Sequence, residues 1–169
     1  MNNSILDDKG RCCVFRSGEN WFGINALAVR SIVPRPDIAT LPHADASLKG
    51  VCHLQNEFLP VVSLRALSSI QYDTSADAEQ QLAILLSPQG PWGLLIDEAA
   101  TLAELEISIS TYSDQSDPWS RVIHGSASWN NRVLQILDPV ATQQYASRLL
   151  EMYWQSSDQN QPQLTCNWM

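Results

Sequence analysis

At 169 residues the chain is long enough for one compact domain or two small fused lobes, and its 44% hydrophobic content is ordinary for a globular protein. A formal charge of -8 argues against DNA or RNA as the main partner, because nonspecific nucleic-acid affinity comes from Lys and Arg neutralising phosphates. No apolar run approaches the roughly 20 residues that cross a bilayer, and the opening M-N-N-S-I-L-D-D-K-G lacks the basic and apolar regions of a signal peptide, so the expected location is the cytoplasm.

In chain order, residues 1–10 read as a flexible arm, C-C-V-F (12–15) as a strand and S-G-E-N (17–20) as a turn. Trp21 to Asn25 and Ala28 to Val33 read as two strands with a bend or bulge between them; an amphipathic helix over Asn25 to Val33 is the competing reading. Pro34 and Pro36 end the element. A long connection follows, with one helical turn near Asp45 to Leu48. The run G-V-C-H-L-Q-N-E-F-L-P-V-V-S-L (50–64) then predicts a hairpin: Val51 to Leu54, a turn at Gln55 to Glu57, and Phe58 to Val62. Pro60 lacks an N–H and belongs at an edge or beside a bulge. A short helix over Leu64 to Ser68 and a polar connection to residue 80 mark the boundary between halves.

The second half opens with a strand at Leu82 to Leu86, the turn S-P-Q-G-P (87–91), a strand over 92–99 and another at Ala100 to Leu105. Residues 108–119 read as a polar loop. Val122 to Ser128 and Val133 to Leu137 form a second hairpin around W-N-N-R. Asp138 and Pro139 are good N-cap and first-turn residues for a helix from Val140 to about Tyr153, with Val140, Tyr145, Leu149, Met152 and Tyr153 as its apolar positions. Residues 155–169 have too little to bury and read as a flexible tail.

The halves repeat. Gly23, Ala26, Val29 and Ile32 match Gly93, Ile96, Ala99 and Leu102 at an offset of 70, while Gly50 and Val62 match Gly125 and Leu137 at an offset of 75. Each copy holds about five short strands, which leave exposed edges unless the sheet curls. The expected fold is therefore all-β with a C-terminal helix: two small five-stranded β-barrel lobes, with lobe one about 11–68, lobe two about 80–138 and the helix about 139–153.

Chemistry is sparse. His43, His53 and His124 lie far apart in the chain, and adjacent Cys52 and His53 would point to opposite faces of a strand, which is no chelate. Ser63 and Ser126 lack a neighbouring base, G-x-S-x-G is missing, and no phosphate-binding glycine loop is present. No catalytic residue, metal ligand or cofactor site is expected. The four cysteines match no disulfide framework or C-x-x-C site and read as buried thiols. Trp21 and Trp92 are expected in the core. Trp119, Trp129 and Trp154 are candidates for exposed docking aromatics or for caps on their own lobes.

The ordered set F-x-x-x-x-x-W-F-G-I (15–24), V-x-x-I-V (29–33), L-P (41–42), G-V-x-x-L (50–54), L-P-V-V-x-L-R (59–65), W-G-L-L-I-D (92–97), H-G-S-A (124–127) and L-Q-I-L-D (134–138) resembles the CheW family of chemotaxis coupling proteins, across a domain of about 11–152. The resemblance implies two five-stranded β-barrels and a non-enzymatic adaptor. Its implied partners are a histidine kinase with a CheW-like regulatory domain and the cytoplasmic tip of a methyl-accepting chemoreceptor, at arrays on the inner membrane. The alternative role is a CheW-like scaffold of a pilus or other specialised system. Three motifs depart from the family pattern: Gln55 and Asn56 stand where N-x-R-G is usual, Ser31 replaces the acid of V-x-E-I, and the proline usual near residue 45 is absent. Losing the Arg and the Glu together leaves neither stranded. The candidate interaction residues are Val29, Ser31, Gln55, Asn56, Phe58 and Val61 on the first copy, and Ala99, Thr101, Trp129 and Asn131 on the second.

Overall fold

The computed structural model describes residues 9–42, 47–68, 79–109 and 118–159. Its first half contains β1 (Lys9–Ser17), β2 (Asn20–Asn25), β3 (Val29–Pro34), β4 (Leu48–Leu54), β5 (Glu57–Ser63) and the one-turn helix α1 (Leu64–Leu67). Its second half contains β6 (Gln81–Leu85), β7 (Trp92–Ile96), β8 (Glu98–Glu106), β9 (Ser108–Ile109), β10 (Ile123–Trp129), β11 (Arg132–Leu137) and α2 (Pro139–Gln159). The bend expected after Asn25 is a 3-10 turn over Ala26–Ala28, held by the Asn25 side chain accepting from the Leu27 N–H at 2.9 Å, and the competing helix does not form. Residues 108–119 were expected to be loop throughout; β9 and a 3-10 turn at Pro118–Arg121 lie at its ends. The turn expected near Asp45 falls mostly outside the described residues, and Leu48 already belongs to β4. Most of the 68–80 connection, residues 1–8 and 160–169 and His43 also lie outside them. The flexible ends expected at 1–10 and 155–169 are too long, because residues 9–10 already pair in β1 and residues 155–159 continue α2.

Two sheets form, with strand orders β8-β1-β2-β11-β10-β9 and β3-β6-β7-β5-β4. The first and last strands of the first sheet, β8 and β9, are separated only by Ile107, so this sheet turns back on itself. In the second, the segment after β3 reaches β4 through a bridge between Ala39 and Val51. The two five-stranded barrels expected are a six-stranded and a five-stranded sheet, strongly curved and not fully closed, with the edges of each joined only through a bent segment. Pro60 fits this arrangement, because β5 begins to pair with β7 only at Val61.

The lobes are not the two sequence halves. The first sheet takes β1 and β2 from one copy and β8 to β11 from the other; the second takes β3 to β5 and β6 with β7. The chain crosses between sheets at Ala26–Ala28 and again at Asp97, so the expected lobes 11–68 and 80–138 are replaced by strand exchange. Two copies of one pattern offer the same pairing edges, so pairing within a copy and between copies satisfies the same alternation of side chains.

The offsets read from sequence recur in the registers. Gly23 stands opposite Ile136 and Gly93 opposite Val61; Ile32 pairs with Ala83 and Leu102 with Cys13. The bulges match too, one between Val29 and Ser31 and one where Val14 and Phe15 meet Thr101 and Ala99. Arg30 and Ala100 are the extra residues.

Continuous apolar runs follow from burial on both strand faces. Cys12 and Val14 point into the first barrel, with Leu105, Leu134 and Ile136. Alternating Cys13 and Phe15 join Phe22, Ile24, Leu85, Leu94 and Ile96 in the largest core, which lies between the sheets. Leu82, Ile84 and Leu95 fill the second barrel with Cys52, Leu59 and Val61. The buried thiols are inert by location: burial pushes Cys12, Cys13 and Cys52 above their ordinary pKa.

Equivalent N-caps begin the helices. The Ser63 hydroxyl accepts from the Ala66 N–H at 3.2 Å, and Asp138 Oδ1 accepts from Val140 and Ala141 at 2.9 and 3.1 Å. The inward face of α2 differs from the expected one. Thr142, Gln143 and Ala146 are buried and Leu149 packs on the core, whereas Val140 and Met152 are exposed. Hydrophobicity alone misplaced the face because Thr142 and Gln143 satisfy their polar atoms locally, on Asp138 O and Ser147 Oγ.

Candidate protein-interaction surfaces

The bulged strands β3 and β8 come from different copies and different sheets, and they meet across an apolar groove of about 420 Å³. Val29 and Ile32 line one side; their repeat counterparts Ala99 and Leu102 line the other, with Thr101 beside them. Cys13 and Ala26 also line it. Leu102 is 57% exposed, and Leu27, in the connecting turn, is 84% exposed. Hydrophobic side chains this open, beside a concavity, mark a surface that another molecule can cover.

The two hairpins supply a second kind of surface. Gln55 and Asn56 have φ of 49° and 63°, and Asn130 and Asn131 have 47° and 60°. Positive φ at both central residues is the two-residue turn that follows the natural twist of paired strands, and Gln55 adopts it without the help of Gly or Asn. Just beyond each turn an apolar side chain projects: Phe58 at 75% exposure and Val133 at 73%. The Phe58 ring lies 4.7 Å from that of His53. Phe58 and Pro60 also border a smaller recess of about 290 Å³ against Pro91, Trp92, Ala146 and Leu150.

A polar cluster joins the sheets. Asp97 Oδ2 accepts from Arg65 at 2.7 Å, from the Gly18 N–H at 2.9 Å and from Arg16 at 3.4 Å. Behind it, buried Glu79 accepts from the Ser63 hydroxyl at 2.7 Å and from the Arg65 backbone N–H. Burial raises the Glu79 pKa above 4.5, outweighing the lowering by those donors and by Lys49. The folded state then holds the proton more tightly than the unfolded state, so this residue's contribution is fully present below about pH 4.5 and is lost as pH rises through the folded pKa. Urea unfolding from pH 4 to 8 should therefore show Glu79→Gln gaining on the parent as pH rises and converging with it in acid. A constant difference across that range would refute this.

A family model for the CheW-like domain matches residues 11–145. The chain belongs to the CheW-like domain family. It is 26% identical over 144 residues to the chemotaxis protein CheW of Treponema pallidum, covering 80% of this chain and 82% of that protein. In structure it is similar to the scaffolding protein TtCheW from Thermoanaerobacter tengcongensis, with a TM-score of 0.68 at 17% identity, covering 78% of this chain and 90% of that one.

Within this CheW-like domain the nominated residues divide among several places. Val29, Ala99 and Thr101 meet in the groove. Ser31 is half-buried on β3 and does not line the groove. Gln55, Asn56 and Phe58 sit at the first hairpin and Asn131 at the second, all exposed. Trp129 is half-buried against Trp21, with centroids 5.4 Å apart, so it caps its own sheet. Val61 must be withdrawn: it is 0% exposed inside the second barrel, because the strand alternation that exposes Phe58 turns residues 59 and 61 inward. Of the aromatics, Trp92 is in the core, Trp119 packs edge-on against Tyr145, and Trp154 is exposed.

Ile32 and Leu102, equivalent in the repeat as Val29 and Ala99 are, belong to the same groove, although of these four only Val29 and Ala99 were expected at an interface. The charges at the first hairpin hold a further finding. Ser31 and Gln55 lack the acid and base implied by the family resemblance, yet Arg30 and Glu57 form an ion pair at 2.8 Å joining β3 to the same hairpin. Here the base stands on β3 and the acid on the hairpin, one and two positions from Ser31 and Gln55. Among the described residues no cluster of His, Cys, Asp and Glu could hold a metal, and no helix is long and apolar enough to cross a membrane.

Proposed function

We propose that this chain is a non-catalytic adaptor that couples chemoreceptors to a chemotaxis-type histidine kinase. The observation that carries the reading is the CheW-like fold with an apolar groove where its two sheets meet and exposed hairpin tips elsewhere, which gives one small chain several separate docking surfaces. A groove lined by Val29, Ile32, Ala99 and Leu102 suits the apolar stripe of an amphipathic helix, here one from a receptor's cytoplasmic tip. The hairpin tips, with Phe58 and Val133, suit the kinase's own CheW-like domain.

The test is a binding titration against a soluble receptor-tip fragment and, separately, the kinase's regulatory domain. Leu102→Asp places a charge on the groove wall and should weaken receptor binding by about 2 kcal/mol, roughly thirtyfold, while kinase binding is retained. Failure of the parent chain to bind either protein sinks the adaptor reading. Binding to a pilus-type system alone would move it to the alternative scaffold role.

A further inference from the structure

The groove and the polar cluster share a wall: Ala99 lines both. Asp97 is the only residue between β7 of the second sheet and β8 of the first, and β8 then supplies Ala99, Ala100, Thr101 and Leu102 to the groove. The opposite wall, Val29 and Ile32, belongs to the second sheet. Groove width and register are therefore set by how one sheet stands on the other.

The apolar core between the sheets holds them face to face, but burial is non-directional and does not fix how far one slides along the other. Charge-assisted hydrogen bonds are directional. Their donors reach Asp97 from both sides: Arg16 and Gly18 from β1 and its turn in the first sheet, Arg65 from α1 behind β5 in the second. The Asp97 N–H in turn donates to Arg16 O at 3.0 Å. Asp97 and Arg65 side chains are 3% and 10% exposed, inside the junction and not on its binding face.

We propose that Asp97, Arg16 and Arg65 are positioning residues for the groove: they fix where β8 stands opposite β3 and so tune affinity for a helical partner without touching it. This rests on the groove reading above. Its closing experiment separates the two ideas. Nitroxide labels at exposed Ser128 in the first sheet and at exposed Gln89, in the turn joining β6 to β7 of the second, with Cys166→Ser, report the distance between sheets by electron–electron resonance. The receptor-tip fragment is titrated in parallel, all below the unfolding transition.

Asp97→Asn should broaden or shift the distance distribution and weaken the fragment on the order of five- to tenfold. Leu102→Asp should weaken binding roughly thirtyfold with the distance unchanged. Unaltered distance and affinity in Asp97→Asn would overturn the proposal. Should that variant fail to fold, Arg16→Gln, at a position about a third exposed, carries the same test with a smaller expected change. If Leu102→Asp binds normally, the groove reading fails, and the distance measurement still decides whether the cluster positions the sheets.

Discussion

Gly50→Ala is expected to cost about 3–5 kcal/mol or to leave the chain unable to fold. Its φ is +143°, and an added Cβ would stand 2.0 Å from the carbonyl oxygen of Ala39. That oxygen accepts from the Val51 N–H at 3.0 Å in the bridge through which the second sheet closes, so retreat from the methyl breaks the closure. Gly125 is its counterpart in the repeat. There a Cβ would meet the carbonyl oxygen of Ser108 at 2.3 Å, where β9 closes the first sheet. No left-handed φ adds to that clash, so Gly125→Ala should cost less, about 2–4 kcal/mol. Urea unfolding of both variants checks the order. Gly50→Ala within about 1 kcal/mol of the parent would mean that the bent segment is not essential to closure.

Much of this was legible in the sequence because a repeat reports equivalence directly. Matching Gly50 to Gly125 already identified two sites with one structural duty, and the N-caps Ser63 and Asp138 lie at the same offset. The hairpins were readable from short apolar strands about polar pairs. Strand exchange was not, because the side-chain pattern is identical whether β2 neighbours its own copy or the other. The groove was half legible for the same reason: Val29 and Ala99 were matched as equivalents, but only exchange brings them to one place. Val61 was misjudged because a strand lining a barrel and facing a helix-covered junction is apolar on both faces, which hides the difference between inward and outward positions. Glu79 carried no local signal, and Asp97 stood out only as the last residue of W-G-L-L-I-D. Their partners lie 16 and 32 residues away, and a buried carboxylate is recognisable only once the fold supplies its donors.

Asp97→Ala should lower stability by about 3–5 kcal/mol, nearly all of it through Arg65. Removing the carboxylate leaves the Arg65 guanidinium at 10% exposure without its 2.7 Å counter-ion, and deprives the Gly18 N–H of its acceptor. Arg16 contributes far less. It is about a third exposed, stands 3.4 Å from Asp97, keeps Gly18 O at 2.8 Å and has Glu98 at 3.5 Å, so solvent screens what it loses. The comparison of single variants follows: Arg65→Ala is strongly destabilising, and Arg16→Ala costs no more than about 1 kcal/mol. An unpaired buried charge costs more than the absence of the pair, so Asp97→Ala with Arg65→Met should be more stable than Asp97→Ala alone. Chemical unfolding of these four variants and of Arg65→Met alone distinguishes this from simple loss of packing. If the double variant is the sum of its parts, the two side chains act independently. If Arg16→Ala costs as much as Arg65→Ala, the exposed arm, not the buried one, holds the sheets together.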